Sequence, residues 1–179
     1  LAEAGMRPAP PADRRTLIRR LYYDLIGLPP TFQQIGAFEN DSSRQAWENL
    51  VDQLLESPHY GERWARHWLD VARYADSNGL DENLAHANAF RYRDYVVKAF
   101  NHDKTYDQFV AEQLAGDLLE GSKFEQYRWK IASGFNRMNQ TTSEGGAQAK
   151  EYLAKYAADR VRNTAAILLG STMGCAECH

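Results

Sequence analysis

Apolar residues recur at three- and four-residue intervals along most of this 179-residue chain, and no stretch alternates with a period of two. That spacing lines one face of an α-helix but scatters over both faces of a strand. The expected fold is therefore all-α, an irregular arrangement of about six to eight helices with no significant sheet. Leu17, Leu21, Leu25 and Leu28 mark a first stripe, with Gly27 and Pro29-Pro30 as its stop signals. Asp41-Ser42-Ser43 opens a helix with Trp47, Leu50, Val51, Leu54 and Leu55 on one face. Ser57-Pro58 reads as an N-cap with proline at the first helical position, followed by a stripe of Tyr60, Trp64, Trp68, Val71 and Ala75. Three pairs read as capping boxes: Thr31 with Gln34, Thr105 with Gln108, and Ser122 with Glu125. Further helices are expected over 89–100, 106–119 and 147–169, with irregular chain over 78–88 and 136–146.

Residues 1–12 hold three of the six prolines and read as a linker or flexible tail; 13–179 read as one helical domain. Apolar residues at 44% and charged residues at 25% match a folded chain rather than a disordered one. The net charge of −3, without a basic run, argues against a nucleic-acid partner. The longest apolar run, 165–170, is too short to span a bilayer. The chain opens on Leu1 and stops on His179, so it is expected to be a piece of a longer protein, cut short at its C-terminal end.

Both cysteines fall in the last five residues, Cys175-Ala176-Glu177-Cys178-His179. Two thiols separated by two residues and followed by histidine form the pattern of c-type haem attachment. Cys175 and Cys178 would add across the haem vinyl groups, and His179 would ligate the iron. Zinc is the main competing occupant, but structural zinc takes four ligands and this cluster offers three. A redox dithiol is the other alternative, though such motifs open a helix after a strand. The second axial ligand could come from His59, His67, His86, His102, Met138 or Met173. His67 is the candidate of most interest, since it lies at the edge of the Trp64/Trp68 stripe. Read as an ordinary boundary histidine, it would bond Asp70 or a backbone carbonyl.

Arg160 falls inside the apolar face drawn by Leu153, Tyr156, Ala157, Val161, Thr164, Ile167 and Leu168. A buried guanidinium needs an acceptor. The choices are an ion pair with Asp76, Asp117 or Glu144, or a clamp on an anion such as a haem propionate or substrate carboxylate. Nothing in the spacing of Asp76, Asp81, Glu82, Asp117 and Glu144 demands a hydrolytic pair. Trp64, Trp68, Tyr74, Phe90, Tyr92 and Tyr95 read as core rather than as a sugar platform.

Several long phrases carry a family resemblance: DLIGLPPT at 24–31, SPHYGERWARHWLDVARYADSNG at 57–79, FRYRDYVVKAFNHDKTYDQFVAEQLAGDLL at 90–119, SEGG at 143–146 and ADRVRNTAAILLGSTMGCAECH at 158–179. In register, they resemble the planctomycete cytochrome-associated domain of unknown function labelled DUF1549 or PSCyt2. The resemblance implies a large periplasmic or secreted parent protein, with cytochrome-c-like and DUF1553-like partner domains in the same chain. It implies that the cysteine motif continues into Asp-His-Lys, which this chain lacks. The function expected from it is a haem-c-binding, electron-transfer-associated module. An extracytoplasmic enzyme domain acting on complex carbohydrate, with the Cys/His cluster as a structural metal site, is the alternative. A scaffold between cytochrome and partner domains is the third. The resemblance leaves open whether the domain is an enzyme.

Overall fold

The computed structural model describes residues 3, 5–80 and 82–178. Among these it is all-α, with eight α-helices, and the sole β feature is an isolated antiparallel bridge between Ser77 and Ala85. The chain divides into two compact units, Leu1–Arg63 and Trp64–His179, with the division falling inside the fourth helix.

The first unit holds α1 (Arg14–Leu25), α2 (Phe32–Asn40), α3 (Ala46–Leu55) and the start of α4 (Pro58–Ala72). Asp13 caps α1 by accepting the Thr16 N–H at 2.8 Å. Thr31 and Gln34 form both halves of the capping box on α2. The core gathers Ile18, Tyr22, Ile26, Phe38, Ala46, Leu50 and Leu54. The buried line of α1 is thus Ile18–Tyr22–Ile26, one residue along from the leucine stripe; Leu21 and Leu25 flank it and Leu28 is exposed. Residues adjacent in sequence lie about 100° apart on a helix, so one four-residue repeat can shadow another. The Asp41 carboxylate accepts the Ser43 N–H, which makes a turn rather than a cap, so α3 starts later than the sequence suggests and leaves Trp47 partly exposed.

The second unit holds the rest of α4, α5 (Phe90–Asn101), α6 (Tyr106–Ala115), α7 (Lys123–Ala132), a 3-10 segment Ser133–Arg137, α8 (Ala149–Leu168) and a final 3-10 turn Gly174–Glu177. Its core is built from aromatics and alanines: Ala65, Ala72, Tyr92, Tyr95, Val96, Ala99, Phe109, Ala132 and Phe135. Trp68 lies edge-on to Phe109 with ring centroids 4.8 Å apart, and its Nε1–H donates to the Tyr92 hydroxyl at 3.0 Å. That hydroxyl donates on to Gln113 Oε1 at 2.7 Å. Trp64 and Phe90 are exposed, so the aromatic set expected in the core is split.

Two adjacent residues of α6, Glu112 and Gln113, are polar and buried. Glu112 accepts from Lys104 Nζ at 2.6 Å, from the Tyr95 hydroxyl at 2.6 Å and from Trp129 Nε1 at 3.1 Å. Burial, reinforced by the Glu112 carboxylate, pushes the Tyr95 phenol well above its ordinary range. Helix α6 stops at Ala115, earlier than its periodicity suggests, where Gly116 packs against the Trp129 carbonyl of α7. Thr105 makes no capping bond to α6, so that box does not form, whereas Ser122 and Glu125 form theirs on α7.

Candidate functional site

The cysteines are presented by the way α8 ends. Gly170 adopts φ +57°, a left-handed conformation suited to glycine, and the Ser171 N–H reaches back to the Ala165 carbonyl at 3.2 Å. The chain leaves the helix there and closes the Gly174–Glu177 turn, in which the Cys178 N–H donates to the Cys175 carbonyl at 3.1 Å. Cys175 and Cys178 are exposed free thiols on this one turn. Glu177, between them, accepts from the Arg162 guanidinium of α8 and so ties the turn back to the helix. His179 lies outside the described residues.

The other sequence candidates are dispersed. His67 is exposed on α4 rather than at a boundary, with its ring tilted against Trp64 at 5.5 Å. His59 pairs with Glu62 at 2.8 Å, and His102 Nδ1 lies 2.7 Å from the Lys98 carbonyl. Arg160 is exposed, not buried, and its Nε–H donates to the Asn136 carbonyl at 2.9 Å. It forms no ion pair with Asp76, Asp117 or Glu144 among the described residues. The crevice beside it is about 10 Å³, room for roughly one water. The physical reason is that the apolar face of α8 is not a buried face: Ala165 is its one fully buried side chain, while Leu153 and Val161 are exposed. Asp76 accepts the Tyr74 hydroxyl at 2.5 Å; burial first, and then this bond, push the Tyr74 phenol up to about 12. Asp81 is outside the described residues. Among the described residues no three His, Cys, Asp or Glu side chains converge as a metal site.

What sequence reasoning missed is a cleft of about 1260 Å³ within the second unit, bordered by residues 75–80 and 85–89, α5, α7, residues 134–140 and α8. His86 and Met138, two of the possible iron ligands, line it, and so does Glu177 of the cysteine turn. Buried Asn78 holds its irregular wall: its side chain accepts the Leu84 N–H at 2.8 Å and donates to the Thr141 carbonyl at 3.1 Å. Arg73 also lines the cleft, at the C-terminal end of α4. There the Tyr74 N–H reaches the Leu69 carbonyl at 2.9 Å, and Arg73 itself takes φ +63°. Its guanidinium forms two bonds to Asp159 of α8, at 2.7 and 2.8 Å.

The left-handed backbone costs a non-glycine residue about 1–2 kcal/mol, and a partly exposed ion pair returns about 0–1 kcal/mol. Arg73→Gly is therefore expected to leave the thermal midpoint unchanged or raise it by a few degrees. A clear fall would show that the arginine is retained for stability.

A family model described as PSCyt2, protein of unknown function (DUF1549), matches residues 1–179. No curated protein and no solved structure matches the chain.

Proposed function

The chain belongs to the PSCyt2 family of proteins of unknown function (DUF1549), and from that premise we propose that it is a haem-c-binding, electron-transfer-associated module of an exported protein. The observation that carries this reading is the pair of free, exposed thiols on one turn. Each is reachable for thioether formation, in which sulfur bonds to a vinyl carbon and the thiol proton goes to the neighbouring carbon. Cys175 and Cys178 would hold the porphyrin, and His179, which follows directly in sequence, would be the proximal ligand. Haem, when bound, supplies a one-electron iron couple. The protein's part is to fix the attachment turn through Arg162 and Glu177 and to set the charge around it. His67 remains a proposed distal ligand, and cytochrome-c-like and DUF1553-like domains remain proposed neighbours in the parent protein. Among the described residues no helix is long and apolar enough to cross a membrane.

The test is expression in a periplasm equipped for c-type maturation, followed by a pyridine haemochrome spectrum. We expect covalent haem at about one per chain, a signature of two saturated vinyl groups, and loss of the covalent species in C175S/C178S with helical content unchanged. No covalent haem, together with stoichiometric zinc, would overturn this reading in favour of the second one. In that reading the Cys/His cluster is a structural metal site of an extracytoplasmic enzyme domain, and the cleft is what favours it.

A further inference from the structure

We infer that the cleft of the second unit binds a small multivalent oxyanion, a ligand carrying three or more carboxylate, sulfate or phosphate charges. The inference holds with or without haem on the cysteines. The whole chain carries a net charge of −3. Among the described residues the cleft inverts that sign: six Arg and Lys residues line it against two carboxylates, Asp159 and Glu177. Of the six, Arg73 is paired with Asp159, Arg162 with Glu177 and Lys155 with Glu151. Arg91, Lys130 and Arg137 carry no ion pair among the described residues. Three cations without a carboxylate partner among the described residues, in one concave site, concentrate positive potential there and attract an anion of matching valence.

Local electrostatics explains two of the three. Lys130 lies in the last turn of α7 and Arg137 at the end of the Ser133–Arg137 segment, where the helix dipole favours cations. It does not explain Arg91, the second residue of α5, where that dipole disfavours a cation. Arg91 does donate to the Tyr127 hydroxyl and lies 5.9 Å from the Phe90 and Tyr127 ring centroids, but no carboxylate among the described residues neutralises its charge. Arg73 is likewise held against local preference, by its left-handed backbone. Both arginines thus stand on the wall of one cleft despite a local cost, Arg73 in its backbone and Arg91 at a helix N-terminus, which fits a site that uses their charge. The cleft, about 1260 Å³, has room for such a ligand together with its hydration water.

The experiment is calorimetric titration of the full chain at low salt with inorganic tripolyphosphate, with citrate and with acetate. Tripolyphosphate or citrate is expected to bind at least about a hundredfold more tightly than acetate, and the stronger of the two identifies phosphate-like or carboxylate chemistry. Lys130→Ala and Arg137→Ala are each expected to weaken binding about tenfold, and R91A/K130A/R137A to abolish it, with the circular dichroism spectrum retained. Arg128→Ala, on α7 but outside the cleft, removes the same charge and is expected to leave the affinity unchanged. Three results would each overturn the proposal: equal binding of acetate, full affinity in the folded triple variant, or a loss at Arg128 as large as at Lys130.

Discussion

Glu112→Ala is expected to destabilise the protein by about 3–5 kcal/mol, the range for breaking a buried charge pair by removing one partner. Three donors lose their shared acceptor at once: Lys104 Nζ, the Tyr95 hydroxyl and Trp129 Nε1. Each buried donor left unsatisfied costs about 1–3 kcal/mol, partly relieved where Lys104 can turn to water. For a chain of this length the thermal midpoint should fall by about 10–20 °C. Glu112→Leu should not rescue it, because restoring volume leaves the same donors stranded. Glu112→Gln, which keeps one acceptor oxygen, should recover part of the loss. The stability that depends on Tyr95 also has a pH direction. Its phenol is raised above the unfolded value, so its contribution is intact below about pH 10 and fades only as pH climbs towards the folded-state value. A scan in which Glu112→Ala melts within two or three degrees of the parent would remove this network from the account of the fold.

Gly116→Ala is expected to cost at least about 3 kcal/mol, the upper end for overpacking. A Cβ there would sit 2.2 Å from the Trp129 carbonyl oxygen and 2.9 Å from its carbon. The obstacle is backbone, which cannot rotate aside as a side chain can, so α6 and α7 would have to separate. The propensity gained by replacing glycine, about 1 kcal/mol, is too small to offset this. Gly36→Ala in α2 is the matched comparison. Nothing lies within 4 Å of its Cβ, and it should gain about 0.5–1 kcal/mol. Urea unfolding of the two variants separates the effects, and equal midpoints would refute the close approach of α6 to α7.

Local signals in the sequence were legible where the structure is locally determined. The capping boxes at Thr31/Gln34 and Ser122/Glu125 form as written, because both partners lie within four residues. Gly170 ends the last helix, and the cysteine motif is contiguous. Which side a helix buries is set by tertiary packing, and there sequence and structure part. The leucine stripe of α1 lies one residue from the buried line, and Arg160 sits on an apolar face that the fold leaves open. The stop of α6 is set by a tertiary contact with Trp129, which no pattern within α6 encodes. The cleft was invisible for the same reason. Its cations come from residues 73, 91, 130, 137, 155 and 162, spread over separate elements with no shared period, and they become a site only after folding.

The bond between Arg162 and Glu177 has a consequence for how the motif's two intervening residues should be understood. In a pattern written with two unspecified positions, those positions read as spacers. Here the second of them is a tether, and a weak one, because both its side chains are partly open to solvent. Surface ion pairs lose strength as salt shortens the Debye length to about 3 Å at 1 M. Raising the ionic strength is therefore expected to loosen this one tie between the turn and α8 without any change at the cysteines themselves. A modifying enzyme that must draw this turn away from α8 would meet a latch whose hold depends on its medium.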